Sequence, residues 1–130
     1  MPARTRHDAV ATVTRVLEAF RSLDPDLPIQ YALSFLTIAQ NEGISIGELA
    51  ERLGIAQSSA SRNVAALSRW HSFGKAGLDL VQSQEDPRER RRKIVTLTEN
   101  GRAFLESLRT IVSADAPTPA APELRRAKSA

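Results

Sequence analysis

Two short helical periods stand only three residues apart between Ser45 and Trp70, a spacing that few architectures tolerate. Ser45-Ile46-Gly47-Glu48 has the reciprocal capping pattern: the Ser45 hydroxyl can accept from the Glu48 N–H, and the Glu48 carboxylate can reach back to the start of the turn. Ile44 and Leu49 sit where a hydrophobic staple would close over that cap. The helix is predicted to end at Leu53, because Gly54 suits the left-handed residue that stops a helix. Ile55 and Ala56 follow, and a second helix is predicted from Gln57 to about Trp70. Leu49, Ala50 and Leu53 face inward from the first, and Ala60, Val64 and Leu67 from the second at i, i+4, i+7. Small Ala50 and Ala60 let the two cross closely. Two helices on a three-residue turn containing glycine make a helix-turn-helix.

The flanking chain gives this motif its setting. Asp8 can cap a helix from Ala9 to Leu23, whose Val10, Val13, Val16, Leu17 and Phe20 follow helical spacing. Asp24 to Pro28 breaks it. A second helix is predicted from about Pro28 to Asn41, with Ile29, Ala32, Leu33, Phe35, Leu36 and Ala39 forming a broad apolar face and Gly43 ending it. After the helix-turn-helix, a connector from Trp70 to Gly77 leads to two predicted strands, Leu78–Val81 and Lys93–Leu97. The polar stretch Gln84 to Arg92 is the tip between them. Thr98 can cap a last helix to about Val112 through Phe104, Leu105, Leu108, Ile111 and Val112. The expected organisation is a flexible basic arm (1–7), one domain (8–112) and an Ala/Pro-rich disordered tail (113–130). The fold class is mainly α (α+β): a winged helix-turn-helix with a two-stranded wing and flanking terminal helices.

Charge is placed rather than abundant. Arg88 to Lys93 holds five cations and one anion, a net +4, while the whole chain of 130 residues carries +3. Everything outside this hairpin therefore sums to −1. Such a tip beside a helix can straddle phosphates or enter a minor groove. Asp86-Pro87 is turn chemistry, and Glu89 can pair with Arg88 or Arg91 to set the tip. The outward face of the second motif helix is Gln57, Ser58, Ser59, Ser61, Arg62 and Ala65, without an acidic residue. Short hydroxyl side chains let a helix sink into a major groove, and Arg62 can fork onto guanine or hold a phosphate. The competing readings are a merely solvated face, and a basic hairpin that docks an acidic protein or RNA.

Other chemistries are poorly served. There is no cysteine, so thiol catalysis, disulfides and Cys-ligated zinc are out. Only His7 and His71 occur, far apart, so no metal site is expected. No Ser-His-Asp set, phosphate-cradling glycine loop or carboxylate pair can be assembled, so neither an enzyme nor a cofactor is expected. No apolar run approaches a membrane span and no signal peptide is read at the N-terminus, which predicts a cytoplasmic protein without a membrane partner.

Several stretches resemble the multiple-antibiotic-resistance regulator (MarR) family of winged-helix transcription factors. They are Gly47-Glu48-Leu49-Ala50-Glu51-Arg52-Leu53-Gly54, Ser58-Ser59-Ala60-Ser61-Arg62, Gly77-Leu78, Asp86-Pro87-Arg88-Glu89-Arg90-Arg91 and Leu97-Thr98-Glu99-Asn100-Gly101-Arg102, within residues 28–112. The resemblance implies a homodimeric, repressor-like regulator on pseudo-palindromic double-stranded DNA. Its recognition helix would use Gln57, Ser58, Ser59, Ser61 and Arg62, and its wing Arg88, Arg90 and Arg91. It marks Arg91 for the minor groove, with Asp86 and Glu89 orienting the wing. The chain departs from the family in three places. Glu89 stands where Asp is more usual, Ala56 where a capping Ser is common, and the connector from Trp70 is longer. The outer helices are predicted to pair across a two-fold axis through Val13, Leu17, Phe20, Phe104, Leu108 and Ile111. These helices are short and poor in aromatics, which argues against a small-molecule effector. A protein-interaction module and an architectural or partition DNA-binding protein are the alternative functions.

Overall fold

The computed structural model describes residues 8–70 and 75–115. The expected basic arm, both histidines and the chain from residue 116 onward lie outside them. The order is α1 (Ala9–Leu23), α2 (Ile29–Gln40), β1 (Ile44–Ser45), α3 (Ile46–Leu53), α4 (Gln57–Leu67), β2 (Val81–Glu85), β3 (Lys93–Leu97) and α5 (Glu99–Asp115). This is a mainly α chain with a small antiparallel sheet. Local chemistry explains the boundaries. The Asp8 carboxylate accepts from the N–H groups of Val10 and Ala11 at 3.1 and 3.4 Å. Ser45 and Glu48 close a complete capping box, and Gly54 ends α3 in the left-handed region at φ 67°. Ala56 precedes α4 with no side-chain cap. The Thr98 hydroxyl accepts from the Gly101 N–H at 3.0 Å and donates to the Asp79 carbonyl at 2.6 Å.

Several predicted elements differ, and hydrogen bonding explains most of the changes. α4 stops at Leu67 instead of reaching Trp70, and the Ser68 hydroxyl turns back onto the Val64 carbonyl at 2.7 Å. Trp70 forms an isolated antiparallel bridge with Ala76. The strand predicted over Leu78–Val81 instead runs from Val81 to Glu85, into the expected tip. The N–H groups of Gly77, Leu78, Asp79 and Leu80 are consumed by the carbonyls of Arg69, Ala66, Ser68 and Leu67. These segments therefore satisfy the free end of α4 before the sheet can start. Ile44–Ser45 adds a third strand to the expected two. Ile44 faces Val95 and Ser45 faces Ile94, giving the order β1-β3-β2. The last helix runs past Val112 to Asp115, so it crosses the expected start of the tail at 113.

The core lies where α2, α3, α4 and the sheet meet, around Phe35, Ile38, Leu49, Leu67, Val95 and Leu97, all at most 1% exposed. Phe20, Phe35 and Phe104 pack edge-on with centroids 5.1–6.1 Å apart, which joins α1 and α5 to α2. The apolar face of α2 is narrower than predicted. Ala32, Phe35 and Ile38 are buried, but Ile29 is 61% and Leu33 48% exposed. The six expected dimerisation residues also divide. Phe20 and Leu108 are buried in the intramolecular core, and Phe104 and Ile111 pack against it. Phe20 and Leu108 are covered within one chain, while Phe104 and Ile111 are partly covered. Val13 and Leu17 remain open to solvent, together with Val10 and Val112.

Glu42 ties the sheet to the last helix. Its carboxylate accepts from the Leu97 N–H at 2.9 Å and from the Arg102 guanidinium at 2.7 Å. Partial burial alone would push this carboxyl up, but the Leu97 N–H and the Arg102 charge outweigh it and hold it below its ordinary 4.5. A lowered folded-state value means that the stabilisation is present above about pH 4.5 and is lost as pH falls through the folded value. Glu42→Gln is therefore expected to flatten the acid limb of the stability curve below that pH, with little change in its slope near neutrality. Urea unfolding as a function of pH measures this, and an unchanged acid limb would refute it.

Candidate nucleic-acid interface

The start of α3, the first turns of α4 and the base of the β2–β3 hairpin border one open cleft of about 480 Å³. Gln57 and Ser61 enter it from α4, Ser45, Ile46 and Gly47 from the α3 start, and Glu89, Arg91, Arg92 and Lys93 from the hairpin. Two segments some thirty residues apart in sequence thus meet because β3 pairs with β1, and β1 leads directly into α3. Ser58 and Arg62 are exposed on α4 outside this cleft, and Ser59 is partly buried. The Arg62 guanidinium lies 3.5 Å from the Ser59 hydroxyl, a long contact that leaves most of its donors free. Arg88 and Arg90 are exposed at the tip. Arg88, Arg90 and Arg91 form no ion pair among the described residues. Cations held in the open without partners are placed to meet an external anion.

The wing tip is set by Asp86 and by a residue that sequence reasoning missed, Arg92. Asp86 Oδ1 accepts from the Arg88 N–H at 2.9 Å, an Asx turn. The Asp86 N–H donates to the Arg92 carbonyl at 2.8 Å, and the Arg92 N–H donates to the Glu89 carbonyl at 3.0 Å. The Arg92 side chain then bridges two acids: its Nε lies 3.5 Å from Asp86 Oδ2 and its Nη2 3.3 Å from Glu48 Oε1. Glu48 is the capping-box acid of α3, so this contact pins the hairpin to the helix-turn-helix. The expected side-chain pairing of Glu89 with Arg88 or Arg91 is not formed; Glu89 contributes backbone bonds to the turn. Glu48 was legible as a cap. Its second partner depends on how the hairpin folds back, which no local pattern encodes.

Arg92 and Glu48 are each nearly half exposed, so the pair contributes little to stability. Arg92→Met also takes the charged partner from Asp86, only 14% exposed, so it is expected to cost about 1–3 kcal/mol. It should in addition weaken any ligand that the wing and α4 grip jointly, by several-fold. Chemical denaturation and a binding titration on the same sample separate the two effects.

A helix-turn-helix whose second helix is flanked by an antiparallel hairpin defines a winged-helix protein. Residues 26–70 match the model of the MarR family. No curated protein sequence matches. FabT of Streptococcus pneumoniae, solved in complex with DNA, superposes with a TM-score of 0.57 at 15% identity, over 68% of this chain and 57% of its own. The MepR–DNA complex of S. aureus gives 0.61 at 19% identity, over 83% and 78%. CouR, a transcriptional repressor bound to a 23-mer DNA duplex, gives 0.55 at 27% identity, over 82% and 71%. The chain spans little more than half the length of FabT. No helix among the described residues is long and apolar enough to cross a membrane.

Proposed function

We propose that this protein is a sequence-specific, double-stranded DNA-binding transcriptional regulator that acts as a homodimeric repressor in the cytoplasm. The observation that carries the reading is the shared cleft: Gln57 and Ser61 of α4 and Arg91 and Lys93 of the wing line one opening. Charge from Arg88, Arg90 and Arg91 supplies affinity, and Gln57, Ser58, Ser59, Ser61 and Arg62 supply discrimination. Arg91, which lines the cleft, is the residue assigned to the minor groove. The likeness to FabT, MepR and CouR, each solved on DNA, supports the reading. For the dimer, Val10, Val13 and Leu17 form one stripe of α1, 48–75% exposed, and Val112 is open on α5. Covering such a stripe by symmetric closure is the common solution.

Selection of bound duplexes from a random pool tests sequence preference and half-site symmetry together. Enrichment of a two-fold symmetric motif is the expected result. Arg62→Ala should then relax preference at one position per half-site, by about 1–3 kcal/mol. Light scattering is expected to show a dimer at tens of micromolar, and Leu17→Glu a monomer. Failure to bind any duplex even at low salt would instead favour a protein-interaction module, because phosphate attraction is strongest there.

A further inference from the structure

Asn63 is a polar residue on the inner side of α4, only 5% exposed, across the helix from Ser61 and Ala65. Its Nδ2 donates to the Ser34 hydroxyl at 3.1 Å and to Gln30 Oε1 at 3.3 Å, both on α2. Ser34 is wholly buried. The other inner residues of α4, namely Ala60, Val64, Ala66 and Leu67, are aliphatic and touch the body without directional bonds. Apolar burial holds a helix against a core but is non-directional. Ala60, a single methyl at the crossing, offers little to interlock.

A helix whose side chains reach about 5–6 Å from its axis carries them roughly 2 Å when it turns by about 20°. Recognition needs placement within about 0.5 Å. A 2 Å shift also breaks a hydrogen bond of 3.1 Å and strands a buried amide beside a buried hydroxyl. Buried polar groups fix register in this way in coiled coils, at the expense of stability.

We infer that Asn63 is a positioning residue: it sets the rotation of α4 about its own axis, and so decides how Ser58, Ser61 and Arg62 are presented, without touching DNA. The inference rests on α4 being the helix that reads bases. Asn63→Leu combined with Ser34→Ala removes donor and acceptor together and roughly keeps volume, while Gln30 lies at the surface and can turn to water. This variant is expected to unfold within a few degrees of the wild type. Its affinity is measured at several salt concentrations for a duplex that the wild type selects from a random pool, and for an unrelated duplex of equal length.

The expected result is an unchanged affinity and salt slope on the unrelated duplex, because the wing cations are intact. The ratio of selected to unrelated affinity should fall about tenfold or more, the value of one good base contact. A wild-type ratio, or an equal loss on both duplexes, would overturn the inference. Should the double variant not fold, Ser34→Ala alone removes the shorter bond, and an unchanged ratio there overturns it equally. A wild type that enriches no sequence overturns the DNA reading itself, and the inference with it.

Discussion

With Arg88, Arg90 and Arg91 all replaced by alanine, duplex binding at physiological salt is expected to fall at least about a hundredfold, while the unfolding midpoint stays where it was. The three guanidinium groups are exposed and carry no ion pair among the described residues, so removing them takes nothing from the folded state. The turn that presents them keeps its bonds, since Asp86 is engaged by the Arg88 backbone and by Arg92. A hydrogen bond to a charged group contributes about 1.5–3 kcal/mol net, and even the low end for three contacts exceeds a hundredfold. Each lost phosphate contact also lowers the slope of log affinity against log salt by about 0.9. The loss should be uniform across sequences, in contrast to Arg62→Ala. Titrations of one selected and one random duplex at four salt concentrations measure both quantities. An unchanged slope would remove the wing from the interface.

Gly101→Ala is expected to be, with Gly77→Ala, one of the two most destabilising methyl additions at the glycines among the described residues. A Cβ at Gly101 would stand 1.9 Å from the Leu80 carbonyl oxygen and 2.9 Å from its carbon. Both are backbone atoms, and the Leu80 oxygen already accepts from the Thr98 N–H at 3.0 Å. The entry to β2 cannot step aside without disturbing that bond and the one from the Leu80 N–H to the Leu67 carbonyl. Overpacking of this kind costs about 3 kcal/mol or more, a large share of the roughly 5–15 kcal/mol that holds a domain of this size. The unfolding midpoint should drop on the order of 10 °C or more. Gly47→Ala is the matched control. Its Cβ would meet only the Gln57 and Ser45 side chains at 4.0 Å, so the better helix propensity of Ala should raise stability by up to about 1 kcal/mol. Equal effects of the two substitutions would show that the close approach at Gly101 is not felt.

The two glycines also mark how far sequence patterns reach. Gly54 was legible because its work is local: a positive φ ends a helix, and that need can be read from the periodicity before it. Gly43 also has a positive φ, but α2 already ends at the Asn41 cap and the Gly43 N–H donates to the Val95 carbonyl on β3. Gly101 could be quoted as part of a family pattern, but its reason is a carbonyl some twenty residues earlier. The same division runs through the candidate site. The capping box, the serine face of α4 and the charge of the hairpin are all properties of contiguous residues. Arg92 and Asn63 acquire their partners, Glu48 and Ser34, across 44 and 29 residues. Sequence spacing gave those partners no signal.

What the sequence determined alone was therefore the set of elements whose causes are local. α1 from Ala9 to Leu23, the α3–turn–α4 unit and β3 from Lys93 to Leu97 follow from caps, periodicity and turn residues within a few positions. The tertiary structure decided everything that turns on competition for partners. Residues 77–80 resemble a strand until the free carbonyls of α4 claim their N–H groups. Ile44–Ser45 looks like a staple and a cap until β3 offers an edge to pair with. Phe20 looks like part of one helix stripe with Val13 and Leu17 until Phe35 and Phe104 draw only Phe20 inside. A backbone donor or an apolar side chain can be satisfied once, and which partner satisfies it depends on what the rest of the chain brings within reach.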